Sequence, residues 1–276
     1  MTVELNDRFI TFLKKIKTLL ETEDLVKVKF EDFVKFLPEV EQTGVLDKRS
    51  IIYIAEHLKA EQLNTEPKIS QGYVSRHVES PLYIFKQEDI FDHSSLGYKQ
   101  ALLMVRMAVI MAFADGSTDD GEILTIKEVI WDIHWLSTSE KISLLAKASY
   151  LIEPGLEIDD RTALYSKTSL SKTLLLQSLI KLDTESAKQI IHVAKDVAVS
   201  DKFLAKGEIT LLQDMYRVLE MSVRSVEKDL VNHAAKNHEY VSRHSNKRED
   251  ELLIEEPDIN LTADILDDLI SEFEDF

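Results

Sequence analysis

The chain has 276 residues and a formal net charge of −17, from 33 Lys and Arg against 50 Asp and Glu. A protein that binds duplex DNA usually presents a basic surface, because phosphate neutralisation supplies most of its affinity, so we expect no direct duplex DNA binding. The absence of cysteine excludes disulfides, thiolate zinc sites and thiol catalysis, and it suits a cytoplasmic protein. Seven Gly and five Pro fall far below the usual joint share of roughly 12 %, which disfavours sandwiches, barrels and phosphate loops.

Residues 1–95 form a mostly helical N-terminal module of unknown type. Apolar residues at helical spacing predict an amphipathic helix over 1–20, which is not a secretion signal, and further helices over 30–37 and 47–63. The stretch from 64 to 92 is less periodic and contains the β-prone run 82–85. It predicts irregular structure with a short strand or hairpin.

Residues 96–235 form a helical domain. Its most apolar stretch, Ala101–Ala114, is far shorter than the ~20 residues of a membrane span and predicts a buried core helix. Ser137 and Glu140 have the spacing of a capping box. The predicted helices lie near 97–114, 119–135, 138–152, 169–182, 184–200, 206–220 and 223–236.

An internal repeat is the strongest feature of this domain. A shift of 86 positions aligns 108–131 with 194–217 and preserves both the apolar phase and two acidic residues. Each copy reads as an apolar helix, a short loop opened by Asp, and a second helix opened by Gly-Glu. The identical pairs include Ala112 and Ala198, Asp115 and Asp201, Gly121 and Gly207, Glu122 and Glu208, and Ile123 and Ile209.

The segments 111–123 and 197–209 resemble the two Ala-Asp-Gly…Glu half-motifs of the tellurite-resistance TerB-like family, and 216–222 resembles the segment that follows. The resemblance covers 96–235 and implies an all-α fold with pseudo-two-fold symmetry and divalent-metal sites in the acidic loops. It also implies a binding module of stress resistance or phage defence rather than an enzyme. In the second copy Ser200 and Lys202 replace the Ala and Gly of the pattern, and Lys202 weakens a cation site there.

The first acidic loop has two interpretations. Four carboxylates lie within eight residues, and Ca²⁺ or Mg²⁺ prefers several oxygen ligands, although the spacing is not that of an EF-hand. Alternatively, Asp119 and Glu122 form a capping box while Gly116 supplies a positive φ in the turn. The candidate metal ligands of both loops are Asp115, Asp119, Glu122, Asp201 and Glu208.

The histidines and the common catalytic motifs offer little. His134 and His192 follow apolar residues and are expected at the edge of the core. His233, His238 and His244 are five or six residues apart and near the linker, which makes convergence on a metal improbable. No Ser-His-Asp set, GxGxxG or HExxH is apparent, so we expect no enzyme. Residues 54–58 followed by 70–78 faintly resemble a helix-turn-helix pair with an overlong connection in non-basic surroundings.

Residues 236–276 form a linker and an acidic C-terminal segment. From 249 to 276 there are 12 acids and no base, so 1–248 carries 38 acids against 33 bases, an ordinary surface. Apolar residues in this segment form one stripe on a helix that is too short to be stable alone, a composition typical of a segment that orders on binding. The stripe comprises Leu261, Ile265, Leu266, Leu269, Ile270, Phe273 and Phe276.

We expect this stripe to dock in an apolar groove rimmed by Lys and Arg on a partner protein, although packing back on its own domain is the alternative. An anionic membrane surface would repel it. The sequence thus predicts a non-enzymatic interaction or scaffold subunit of a bacterial stress-response or phage-defence complex. The alternative is a nucleic-acid-related accessory protein that acts through an acidic tail, either as a DNA mimic or by recruiting a partner.

Overall fold

The computed structural model describes residues 3–30, 32, 35, 48–69, 81–87, 89, 91–114, 116, 118–153, 172–200 and 204–236. These residues are mostly helical, with one small three-stranded sheet. The chain divides into two compact units. The first contains Met1–Phe91 and Leu136–Thr168, and the second contains Asp92–Trp135 and Ser169–Phe276.

The helices and strands follow the predicted order closely. Within the described residues they are α1 (Val3–Leu19), β1 (Val26–Lys29), α2 (Lys48–Ala60), β2 (Leu63–Glu66), β3 (Pro81–Lys86), α3 (Leu96–Ala112), α4 (Asp120–Asp132), α5 (Thr138–Ile152), α6 (Lys172–Ile180), α7 (Thr184–Val199), α8 (Lys206–Val218), a 3-10 turn (Val223–Ser225) and α9 (Val226–Lys236). No helix among them is long and apolar enough to cross a bilayer.

The sheet of the first unit has the order β1-β3-β2, with both pairings antiparallel and β3 in the centre. β3 is the β-prone run that predicted a strand, and five of its six residues are buried. β1 was not predicted, because its four residues alternate Val with Lys and only Val26 is fully buried. The core joins the sheet to the apolar faces of the first two helices and includes Phe9, Leu13, Ile54, Leu58, Leu82 and Ile84.

Helix α5 belongs to the first unit, although the sequence placed it in the helical domain of 96–235. It packs against β2 and β3, where Ala146 and Tyr150 cluster with Tyr83 and Phe85. Lys147 Nζ reaches Glu66 Oε2 of β2 at 3.1 Å, and both side chains are buried. Each of these charges would be costly to bury alone, so the pair supports the packing of α5 on the sheet.

The repeat governs the second unit. Helix α4, shifted by 86 residues, coincides with α8 over its full length. The first helices of the two copies, α3 and α7, pack together, and α4 and α8 each contact both of them. Each second helix therefore packs against the first helices of both copies.

The two helix-opening glycines lie against equivalent carbonyl groups but are not equally crowded. A Cβ on Gly121 would lie 3.4 Å from the carbonyl oxygen of Ser200, whereas a Cβ on Gly207 would lie 1.7 Å from that of Ala114. Ala114 and Ser200 are themselves equivalent under the 86-residue shift. Gly207 therefore lets α8 start against the backbone that follows α3, whereas a Cβ at Gly121 would make only an ordinary contact with Ser200.

The described residues include only the first half of the helix-turn-helix interpretation, which joined 54–58 to 70–78. Residues 54–58 lie within α2, but the next described element is strand β2, which pairs with β3. The second half of that interpretation, 70–78, lies outside the described residues.

Candidate functional site

The first acidic loop ends in the capping box that was one of its two interpretations. Asp119 Oδ1 accepts a hydrogen bond from the backbone N–H of Glu122 at 2.8 Å, and Glu122 Oε2 accepts one from that of Asp119 at 2.9 Å. Gly116 has φ of 89°, as the turn interpretation predicts. These bonds satisfy two of the N–H groups that an α-helix leaves open at its start, so one oxygen of each carboxylate already serves the helix.

The second loop repeats half of this arrangement. Glu208 Oε2 accepts a hydrogen bond from the backbone N–H of Ala205 at 2.6 Å, at the positions that correspond to Glu122 and Asp119. Ala205 has no side-chain acceptor, so it cannot return the bond. Both glutamates are buried, which accounts for their presence in both copies as helix caps. The other two candidate ligands, Asp115 and Asp201, lie outside the described residues.

A different cluster of potential metal ligands lies between α7 and α9. His192, Asp196 and His233 each offer one atom, and the three atoms lie within 4.8 Å of one another. His233 Nε2 is 2.6 Å from Asp196 Oδ1, and His192 Nε2 is 3.8 Å from Asp196 Oδ2. The two imidazole rings meet edge to face with centroids 4.7 Å apart. We call these three residues the His-Asp-His cluster.

The exposure of the three side chains in the His-Asp-His cluster increases from His233 to Asp196 to His192. The side chain of His233 is 9 % exposed, that of Asp196 is 25 % exposed and that of His192 is 67 % exposed. The buried histidine is therefore held by the carboxylate, while the opposite side of the cluster is open to water.

The sequence did not predict this cluster. The pattern placed His192 at the edge of the core and made metal binding at His233 improbable. The available signal was the four-residue spacing of His192 and Asp196, which places both on one face of a helix. His233 could not be added from spacing, because its proximity depends on how α9 packs against α7.

Exposed apolar side chains lie on and next to the first copy of the repeat. Both tryptophans of the chain are there, Trp131 at 37 % and Trp135 at 38 % exposure, and Leu124 precedes Trp131 by two turns on the same face of α4. Trp135 Nε1 donates to the carbonyl oxygen of Gly97 at 3.3 Å, next to the highly exposed Leu96. We call Leu96, Leu124, Trp131 and Trp135 the Trp face.

The predicted docking stripe of the C-terminal segment, from Leu261 to Phe276, lies outside the described residues. Comparisons of the chain with protein-family models, with curated proteins and with solved structures found no match. The resemblance to the TerB-like family therefore stays a prediction, which the helical repeat accommodates.

Proposed function

We propose that the protein is a non-enzymatic interaction subunit of a bacterial stress-response or defence complex, and that the Trp face is a surface to which a partner protein binds. The observation that carries this proposal is the exposure of both tryptophans beside exposed leucines. Tryptophan is enriched among the residues that dominate binding energy at protein interfaces. Clustered exposed apolar side chains on one surface are also typical of such sites.

The internal repeat supplies a control for this argument. In the second copy, Thr210 and Arg217 occupy the positions of Leu124 and Trp131, and both are exposed. The second copy therefore forms the same helix without an apolar side chain at either position. This difference supports a binding role for Leu124 and Trp131.

Co-purification tests the proposal. Full-length tagged protein is recovered from cells of the source organism as wild type, as the double variant Leu124→Thr/Trp131→Arg, and as Ile180→Thr. The double variant introduces the residues of the second copy, and Ile180 is an equally exposed apolar residue of α6 outside the Trp face. We expect a partner that the wild type and Ile180→Thr retain and the double variant loses.

The partner is then purified, and its affinity is measured by calorimetry. The double variant should bind at least about tenfold more weakly, because the loss of one interface hot spot costs 2 kcal/mol or more. Equal affinity for all three proteins would contradict the proposal. Deletion of 249–276 asks separately whether the acidic segment forms a second contact in a basic-rimmed groove.

Two further elements of the proposal come from the sequence. One is a cytoplasmic location, which the lack of cysteine supports. The other is a Ca²⁺ or Mg²⁺ ion at 115–122, held by Asp115, Asp119 and Glu122. Calorimetry with either ion at millimolar concentration would remove the second element if no heat is observed.

A nucleic-acid-related role is the second candidate, and the topology of the first unit favours it. Within the described residues, a helix, a strand, a helix and two antiparallel strands follow one another, and the last strand lies between the other two. Winged-helix domains have this order with one more helix after the first strand, which the predicted helix over 30–37 would supply, a fold-level analogy. The helix before the hairpin, α2, exposes Lys59 but also Glu56. Anisotropy with a labelled duplex at low salt tests this role, and Lys59→Glu should weaken any binding.

A further inference from the structure

We infer that the His-Asp-His cluster binds a divalent transition-metal ion, with Zn²⁺ as the best match. Two imidazole nitrogens and one carboxylate oxygen are ligands that zinc accepts, and they differ from the all-oxygen sets that Ca²⁺ and Mg²⁺ prefer. This site is independent of both the acidic loops and the Trp face. It shares no residue with either of them.

The separations within the cluster suit a metal ion. In tetrahedral zinc sites each nitrogen or oxygen ligand lies about 2.0–2.2 Å from the metal, so the ligands lie roughly 3.4 Å from one another. The 3.8 Å between His192 and Asp196 already approaches this value. The 2.6 Å between His233 and Asp196 is a hydrogen-bond distance, so the metal replaces the proton between them and the pair opens slightly.

The burial gradient also fits a metal site. His233 is fixed in the core and Asp196 beside it, whereas His192 is a surface side chain with rotamer freedom. An ion can enter from the solvent side and recruit His192 last. Three protein ligands leave a coordination position for water, on the side where the cluster is exposed.

Two charged side chains near the cluster contact Tyr216. Lys195, next to Asp196 in α7, lies over the ring of Tyr216 with its Nζ 5.3 Å from the ring centroid. Asp229, on α9, accepts hydrogen bonds from Tyr216 and Ser225 at 3.0 Å. A bound metal would connect α9, the last described helix, to α7 of the repeat.

The test uses the full-length chain stripped with a chelator. ZnCl₂ and CoCl₂ are titrated by calorimetry, thermal unfolding is followed by circular dichroism, and the visible absorption of Co²⁺ reports the coordination geometry. We expect one ion per chain, a higher Tm, and Co²⁺ bands of a four- or five-coordinate site. MgCl₂ and CaCl₂ should leave the cluster empty, so any heat from them should persist in Asp196→Asn.

Variants assign the ligands. His192→Ala removes an exposed side chain and should fold normally, and it should weaken Zn²⁺ binding by more than about tenfold. Asp196→Asn should do the same. His134→Ala, an exposed histidine elsewhere in the unit, and the linker variant His238→Ala/His244→Ala should retain wild-type affinity.

Three results would overturn the inference. The first is no Zn²⁺ binding at roughly 100 μM free metal, a concentration at which a site with a Kd below this value would be mostly filled. The second is unchanged affinity in both His192→Ala and Asp196→Asn. The third is loss of binding in the linker variant, which would assign the metal to other histidines. A lower Tm of metal-free His233→Gln without zinc binding in the wild type would make the cluster a structural ion pair only.

Discussion

The two copies of the repeat share the same helix arrangement and differ in the side chains that they expose. Their second helices coincide after the 86-residue shift, and their glycines contact equivalent carbonyl groups. The first copy carries the Trp face, whereas the second carries the His-Asp-His cluster. Arg106 and Ile110 stand in the first copy where His192 and Asp196 stand in the second. The two copies therefore differ at positions outside their shared helix packing.

The helix that follows each copy shows the same contrast. Shifted by 86 residues, Lys147 of α5 corresponds to His233 of α9. Both reach an acid on the element against which their helix packs, Glu66 of the sheet in one case and Asp196 of α7 in the other. Equivalent polar positions thus contact an acid on a neighbouring element in both cases. Glu66 is more deeply buried than Asp196.

The largest expected effect comes from breaking the more buried anchor. Lys147→Met leaves Glu66 charged and buried, and removal of one partner of a buried pair costs about 3–5 kcal/mol of unfolding free energy. Lys68 limits this loss. Burial, and then the charge of Lys147, lower the pKa of Lys68 to about 8, whereas the charge of Glu66 raises it. When Lys147 is removed, Lys68 remains as a cation that interacts with Glu66. Urea unfolding followed by circular dichroism measures the change.

The less buried anchor is the matched comparison. His233→Gln should cost about 1 kcal/mol, because Asp196 is partly solvated and keeps water as a partner. The double variant Lys147→Met/Glu66→Leu should recover most of the stability that Lys147→Met loses. An equal loss in His233→Gln and Lys147→Met would mean that burial does not separate the two anchors.

The next effect separates the two glycines. Gly207→Ala forces a Cβ onto the Ala114 carbonyl and should cost about 1–3 kcal/mol through the backbone shift that it requires. Gly121→Ala meets its nearest neighbour, Asp119 Oδ1, at 3.2 Å, and the better helix propensity of Ala offsets the crowding. Tryptophan emission during urea unfolding reports this unit. Equal losses would show that the second copy is not the more tightly packed junction.

A smaller effect tests the caps. Asp119→Ala should cost about 1 kcal/mol by removing the acceptor for the Glu122 N–H. Ala205→Asp, at the equivalent position with extended backbone, should gain about 0.5–1 kcal/mol by completing the second capping box. Thermal unfolding of both variants gives the signs. A loss in Ala205→Asp would show that the second loop does not accept the geometry of the first.

The smallest expected effect on stability is at the Trp face. Leu124→Thr/Trp131→Arg should change the unfolding free energy by less than about 0.5 kcal/mol, because exposed substitutions rarely exceed that. Urea unfolding followed by circular dichroism measures it. A loss above about 2 kcal/mol would assign the two side chains to the core.

The sequence predicted most helices and the repeat, because long periodic apolar faces and capping residues are local signals. It did not predict β1, a short edge strand in which lysines alternate with valines, or the packing of α5 against the sheet. That packing includes the pair Lys147 and Glu66, which are separated by 81 residues. The His-Asp-His cluster was not predicted for the same reason, because His233 lies on α9, and only tertiary packing brings α9 close to α7.

The most direct test of the central claim, that the Trp face binds a partner, is the emission of its two tryptophans during titration with the co-purified protein. Trp131 and Trp135 are partly exposed and are the chain's only tryptophans, so their emission should start at long wavelength, typical of contact with water. The emission of any tryptophan in the partner is subtracted. If the Trp face is the docking surface, the remaining spectrum shifts to shorter wavelength and saturates at the stoichiometry measured by calorimetry. Binding that is complete by calorimetry but leaves the emission unchanged would contradict the account.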